Sequence, residues 1–71
     1  MSKTKTQDFL IQSVISGVVS YIAEDRNITA DKALEIFFST ELSKKIEDIE
    51  TGYYLEGPSY IYEVFKKEAA L

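Results

Sequence analysis

The sequence predicts an all-α fold: a compact array of one long N-terminal helix and about three shorter helices. Three observations carry this. Apolar residues between Leu10 and Ile22 recur at helical spacing. Helix-start chemistry then appears at Thr29, at Ser39-Thr40 and at Pro58. The one stretch with strand-like composition, Tyr53-Tyr54-Leu55-Glu56, is too short and too isolated to build a sheet.

The chain has 71 residues, enough for one domain. Residues 1–5 are polar and without periodicity and read as a tail; residues 6–71 read as a single helical domain. The first helix is expected to start near Thr6, with Asp8 in its first turn where an acid suits the helix dipole. Leu10, Ile11, Val14, Ile15, Val18, Val19, Tyr21 and Ile22 cover about half of its circumference, wider than the ~100° stripe of an ordinary surface helix. The helix is therefore central. It is expected to run to 24–26 and to stop at Asn27, a residue that tolerates the left-handed cap conformation.

Its opposite face carries Phe9, Ser13, Ser16, Gly17, Ser20 and Ala23, with Glu24 near the edge. Small residues at this spacing allow another helix to approach closely, from a partner or from a second copy; an ordinary solvated face is the alternative.

Thr29 is an N-cap with Asp31 in the following turn, which predicts a second helix over about 30–39. Ala33, Leu34, Phe37 and Phe38 form its expected inner face. Ser39-Thr40 caps a third helix over about 41–50, with Leu42, Ile46 and Ile49 inward and Gly52 past its end. Tyr53–Glu56 is expected to be an extended connection. Gly57-Pro58 then opens the last helix, with Pro58 in its first turn. Ile61, Tyr62, Val64, Phe65 and Ala69 face inward, and Glu63 and Lys67 are placed to pair four residues apart.

Composition narrows function. No His and no Cys are present, which removes disulfides, zinc fingers, imidazole-based metal sites and the commonest general acid–base and nucleophilic groups. The three glycines are scattered at 17, 52 and 57, so no phosphate-cradling loop exists. Glu47, Asp48, Glu50 and Glu56 are close in sequence but lack a calcium-loop pattern and read as a solvated face. No catalytic residue, cofactor or metal is expected. Twelve acids against eight bases give a net charge of −4, which disfavours nucleic acid. Lys44-Lys45 and Lys66-Lys67 are the only alternative for such a role. No apolar run reaches the ~18 residues of a membrane span. The basic start MSKTKTQDF lacks a signal-peptide cleavage pattern, so a cytoplasmic location is expected.

The stretch around the second helix stop is the most informative. Tyr53, Tyr54, Tyr60 and Tyr62 fall within ten residues, beside Glu56. Tyrosine joins a large apolar area to a polar tip and is favoured at protein interfaces. From Glu41 to Glu63 six acids stand against two lysines, a local charge of −4. Such a surface suits a basic protein partner; the alternative is that one or two of the rings cap the core. A homodimer is the second reading, since a 71-residue core is marginal on its own.

Two segments, A-L-E-I-F-F-S-T-E-L at 33–42 and E-T-G-Y-Y-L-E-G-P-S-Y-I-Y-E at 50–63, resemble a family of short bacterial proteins catalogued only as a domain of unknown function. The resemblance covers nearly the whole chain, and T-G-Y-Y…P-S-Y-I-Y-E is its most specific part. Members of that family are often encoded beside toxin candidates resembling ADP-ribosyltransferases. The resemblance implies an antitoxin-like or accessory binding role. It brings no catalytic residues with it.

Overall fold

The computed structural model describes residues 4–69. The described chain is all-α: α1 is Lys5–Arg26, α2 Ala30–Phe38, α3 Glu41–Glu47 and α4 Pro58–Ala69. Two single 3-10 turns, Ile49–Thr51 and Tyr53–Leu55, join α3 to α4. α2 and α4 pack on α1, while α3 sits against α2 and the second 3-10 turn.

The long helix starts at Lys5, one residue before the expected Thr6, because Thr4 and Gln7 form a reciprocal cap. The Gln7 amide donates to Thr4 Oγ1 at 3.0 Å, and the Thr4 amide donates to Gln7 Oε1 at 2.9 Å. Thr4 and Lys5 therefore belong to the helix start and not to the tail; the rest of the expected tail lies outside the described residues. At the other end Asn27 takes φ 54° and ψ 50°, and the Ile28 amide reaches back to the Ala23 carbonyl at 3.0 Å. That six-to-one bond through a left-handed residue is how a helix ends when its last carbonyls need donors. Between these caps Ile11, Val14, Ile15, Val18, Val19 and Ile22 are buried. Tyr21, expected inward, is 40% exposed at the edge of that stripe.

Thr29 caps α2 through the Lys32 amide at 3.2 Å, and Thr40 caps α3 through the Ser43 amide at 3.3 Å. Only Ala33 and Phe37 of α2 are fully buried; Leu34 and Phe38, expected beside them, are 39% and 44% exposed. A nine-residue helix has room for one narrow buried stripe, and the residues flanking it stay wet. Ser43 of α3 is buried, its hydroxyl donating to the Thr40 carbonyl at 2.7 Å.

α3 is shorter than the expected 41–50. It ends at Glu47 because Asp48 adopts an extended conformation, and its Oδ1 accepts from the Glu50 amide at 3.0 Å. A short acidic side chain competing for backbone donors is a known way to stop a helix. Thr51 completes the stop: its hydroxyl is within 2.6 Å of the Lys45 carbonyl and 2.9 Å of the Asp48 carbonyl. Gly52, with φ 73°, ends the first 3-10 turn and not α3 itself. The connection that follows is wound, not extended as the sequence suggests. Tyr53–Leu55 makes a 3-10 turn closed by Leu55 to Gly52 and Glu56 to Tyr53 bonds, each 3.0 Å.

The ends of α3 and α4 are tied together. The Glu41 amide, a free donor in the first turn of α3, reaches Glu68 Oε1 at 3.1 Å. On α4 the ion pair joins Glu63 to Lys66 at 3.2 Å, where the sequence suggests Lys67. Both groups are exposed, and a pair of this kind contributes less than about 1 kcal/mol.

Candidate functional site

The turn-rich junction between α3 and α4 is where the sequence places its partner-binding residues, and the fold divides them. Tyr54 is only 9% exposed and belongs to the core. In a three-residue turn successive side chains point about 120° apart, so one of three can face the core; here it is Tyr54. Its hydroxyl is met by Gln7 Nε2, which donates at 3.2 Å, so the buried end of the ring is satisfied. Tyr53 is half-buried against the same core.

Tyr60 and Tyr62 are two residues apart on α4 and so lie on roughly opposite flanks of it. Tyr62 turns toward α1: its ring stacks on Tyr21 with centroids 5.3 Å apart and lies 6.2 Å from Phe65. The Lys66 ammonium sits 5.0 Å from its centroid, and the Arg26 guanidinium caps Phe65 at 5.6 Å. Tyr62 is therefore a clamp between α1 and α4. Its hydroxyl is pushed up to about 12 from the ordinary 10.0, first by burial, then by a hydrogen bond to Asp25 and by that carboxylate's charge, with Arg26 opposing.

A raised tyrosine pKa means that the folded chain keeps a proton which the unfolded chain loses. The corresponding stability is complete below pH 10 and disappears as pH rises toward 12. Alkaline unfolding followed by circular dichroism is expected to show a loss of stability across that window. Tyr62→Phe, which has no proton to lose, is expected to flatten that loss.

What remains outward is a different group from the one the tyrosines alone suggest. Leu55, Glu56, Ser59 and Tyr60 are exposed around the Gly57–Pro58 junction. Leu55 is 67% exposed and Tyr60 50%. Leu55 is the residue sequence reasoning misses. The signal is present in the geometry of a short turn: once Tyr54 is inside, its neighbour Leu55 must be outside. Glu47, Asp48 and Glu50 are exposed on the approach to this junction. Among the described residues no three Asp, Glu, His or Cys groups converge as a metal site, and no helix is long and apolar enough to cross a membrane.

The second expected surface, the small-residue face of α1, also changes in one respect. Phe9, Ser13, Ser16 and Ser20 are exposed, with Phe9 at 68%. Gly17 is not part of that face. A Cβ placed on it would lie 2.6 Å from Pro58 Cβ and 2.9 Å from Pro58 Cγ. The glycine is the notch into which the first turn of α4 seats. Comparison with protein-family models, curated proteins and solved structures finds no match for this chain.

Proposed function

We propose that this chain is a small, non-enzymatic protein-binding module that works in the cytoplasm and engages a basic partner through the junction between α3 and α4. The observation that supports it most directly is the outward pair Leu55 and Tyr60 on a junction fixed by Gly52, the wound Tyr53–Leu55 turn and Pro58. Two large apolar groups held outward beside Glu56, with further acids nearby, combine an aromatic anchor with charge that selects a basic surface. Tyr53 is half-buried against the core, while Tyr54 and Tyr62 set the shape of the junction and do not touch the partner. The resemblance of residues 50–63 to short bacterial proteins encoded beside ADP-ribosyltransferase-like toxin candidates turns the same reading toward an antitoxin-like accessory role.

The test is affinity capture of the tagged full chain from its native cell, with companions identified by mass spectrometry. One near-stoichiometric basic companion is expected. Leu55→Ser and Tyr60→Ala are each expected to weaken its binding by about tenfold or more, the effect of removing a central apolar anchor, with the helical circular dichroism signal unchanged because both side chains are exposed. Undiminished binding in both variants would reject this surface. Capture of the bait alone would reject the module reading itself.

A further inference from the structure

The outer face of α1 carries more information than its serines. Between Asp8 and Glu24 the chain has fifteen consecutive residues without a charge, although 28% of all its residues are charged. The stretch spans about four helical turns, so it leaves the solvent side of the helix as uncharged as the core side. Depletion of charge is the compositional mark of an interface centre, more than hydrophobicity is. On this face Phe9 is the most exposed large apolar residue of the described chain, at 68%. Among the described residues, the core cluster and the partly buried apolar residues packed on it do not include Phe9.

A groove of about 300 Å³ opens beside the same face, between α1 and α2. Ser16 and Ser20 form its near lip, Ile15 and Val19 its floor, and Ala30 and Leu34 its far wall, with the Asp31 carboxylate at the rim and Gln12 at the end nearest Phe9. A cavity of about 150 Å³ already accepts a benzene ring, so the groove has room for a phenyl side chain. Leu34, 39% exposed and displaced from the expected inner face of α2, is the wall such a ring would cover.

Gln12, one turn on from Phe9, lines the near end of the groove, but the Phe9 side chain leans toward the start of its own helix and stands about 16 Å along the axis from Ser20 at the far end. A second copy solves the geometry. The step from Phe9 to Ser13 equals the step from Ser16 to Ser20. A two-fold axis midway between Ser13 and Ser16, with the helices antiparallel, sets Phe9 of each copy opposite Ser20 of the other and Ser13 opposite Ser16. One large and three small residues in this order are self-complementary, as a two-fold interface requires. The serines let the axes approach to the short end of the usual 8–10 Å spacing.

We infer that α1 is a homodimer interface in which Phe9 of each copy fills the α1–α2 groove of the other. Each groove is completed by a residue from the other copy. The contact covers about four turns on each side and buries on the order of 1,000 Å² in total, the lower end of specific interfaces. Interfaces at this end of the range are typically transient, so the dimer is expected to dissociate on dilution. The interface lies on α1 and is independent of the junction proposed for the basic partner.

Sedimentation of the full chain between about 1 µM and about 1 mM follows that dissociation. The mass is expected to rise from 8.1 kDa toward twice that value. Phe9→Ser, whose side chain is exposed and whose loss leaves the fold intact, is expected to remove dimerisation from the whole range. The register is read separately. Because the chain has no cysteine, Ser13→Cys and Ser16→Cys variants mixed under mild oxidation are expected to form the mixed disulfide in preference to either symmetric one. A wild-type mass of 8.1 kDa at every concentration overturns the inference. So does a dimer that Phe9→Ser leaves unchanged, or cross-linking that favours a symmetric pair.

Discussion

Phe37→Ala is expected to leave most of the chain unfolded at room temperature. Phe37 is fully buried, in contact with Phe38 at a ring separation of 5.7 Å and Phe65 at 6.4 Å. It is the residue through which α2 meets α4 across the floor of α1. Truncating a buried phenylalanine costs about 3–5 kcal/mol, the transfer term plus the unfilled cavity. A core this small supplies roughly 3–5 kcal/mol net, so the loss matches the whole stability. Collapse around the void is restricted, because α2 offers only Ala33 as a second buried side chain. Urea titration monitored by helical circular dichroism checks this: little or no folded baseline is expected for the variant. A shift of the midpoint by less than about 1 kcal/mol would mean that Phe37 is not the bridge described.

Gly17→Ala is the second large effect, and its sign is opposite to what helix propensity alone dictates. In an exposed helix interior, alanine in place of glycine stabilises by about 1 kcal/mol. Here the new methyl meets two carbons of the Pro58 ring, both closer than 3.0 Å. A proline ring cannot swing aside as a lysine chain can. Relief needs movement of the first turn of α4, which Ile61 and Phe65 anchor in the core. Overpacking of this kind costs about 1–3 kcal/mol, and set against the propensity gain of about 1 kcal/mol a net loss of up to about 2 kcal/mol is expected. The cause is isolated by Pro58→Gly, which removes both ring carbons. The double variant is expected to be more stable than the sum of the two single effects implies, a coupling seen only between residues in contact. Strict additivity would show that the two sites do not touch.

Most of the fold was legible from local chemistry. Thr29, Thr40 and Asn27 mark helix limits because each answers an orphan backbone group within four residues of itself. The errors fall where a decision depends on distant residues. The α3 stop that Asp48 begins is completed by Thr51, whose hydroxyl reaches back six residues to Lys45. Gly17 reads as part of a docking face until the position of Pro58, forty-one residues later, shows which helix docks there. The tyrosine cluster is the same case. Composition identifies the segment as unusual, but only the Gln7–Tyr54 contact and the Tyr21–Tyr62 stack decide which rings are inside. Of the four, Tyr54 then leaves the surface, Tyr53 and Tyr62 are half-covered, and Leu55 takes a place there that its residue type did not announce.

Gln7 joins two of these facts. One end of its amide holds the cap that starts α1, and the other holds the hydroxyl of Tyr54, forty-seven residues away. Fraying of the first turn of α1 therefore removes the donor that keeps Tyr54 satisfied, and loosening of the wound turn takes an anchor from the cap. The start of α1 and the proposed partner-binding junction are linked through this one side chain. Whatever orders the junction also lengthens the life of the helix cap, and the free energy of that link is the same read from either end.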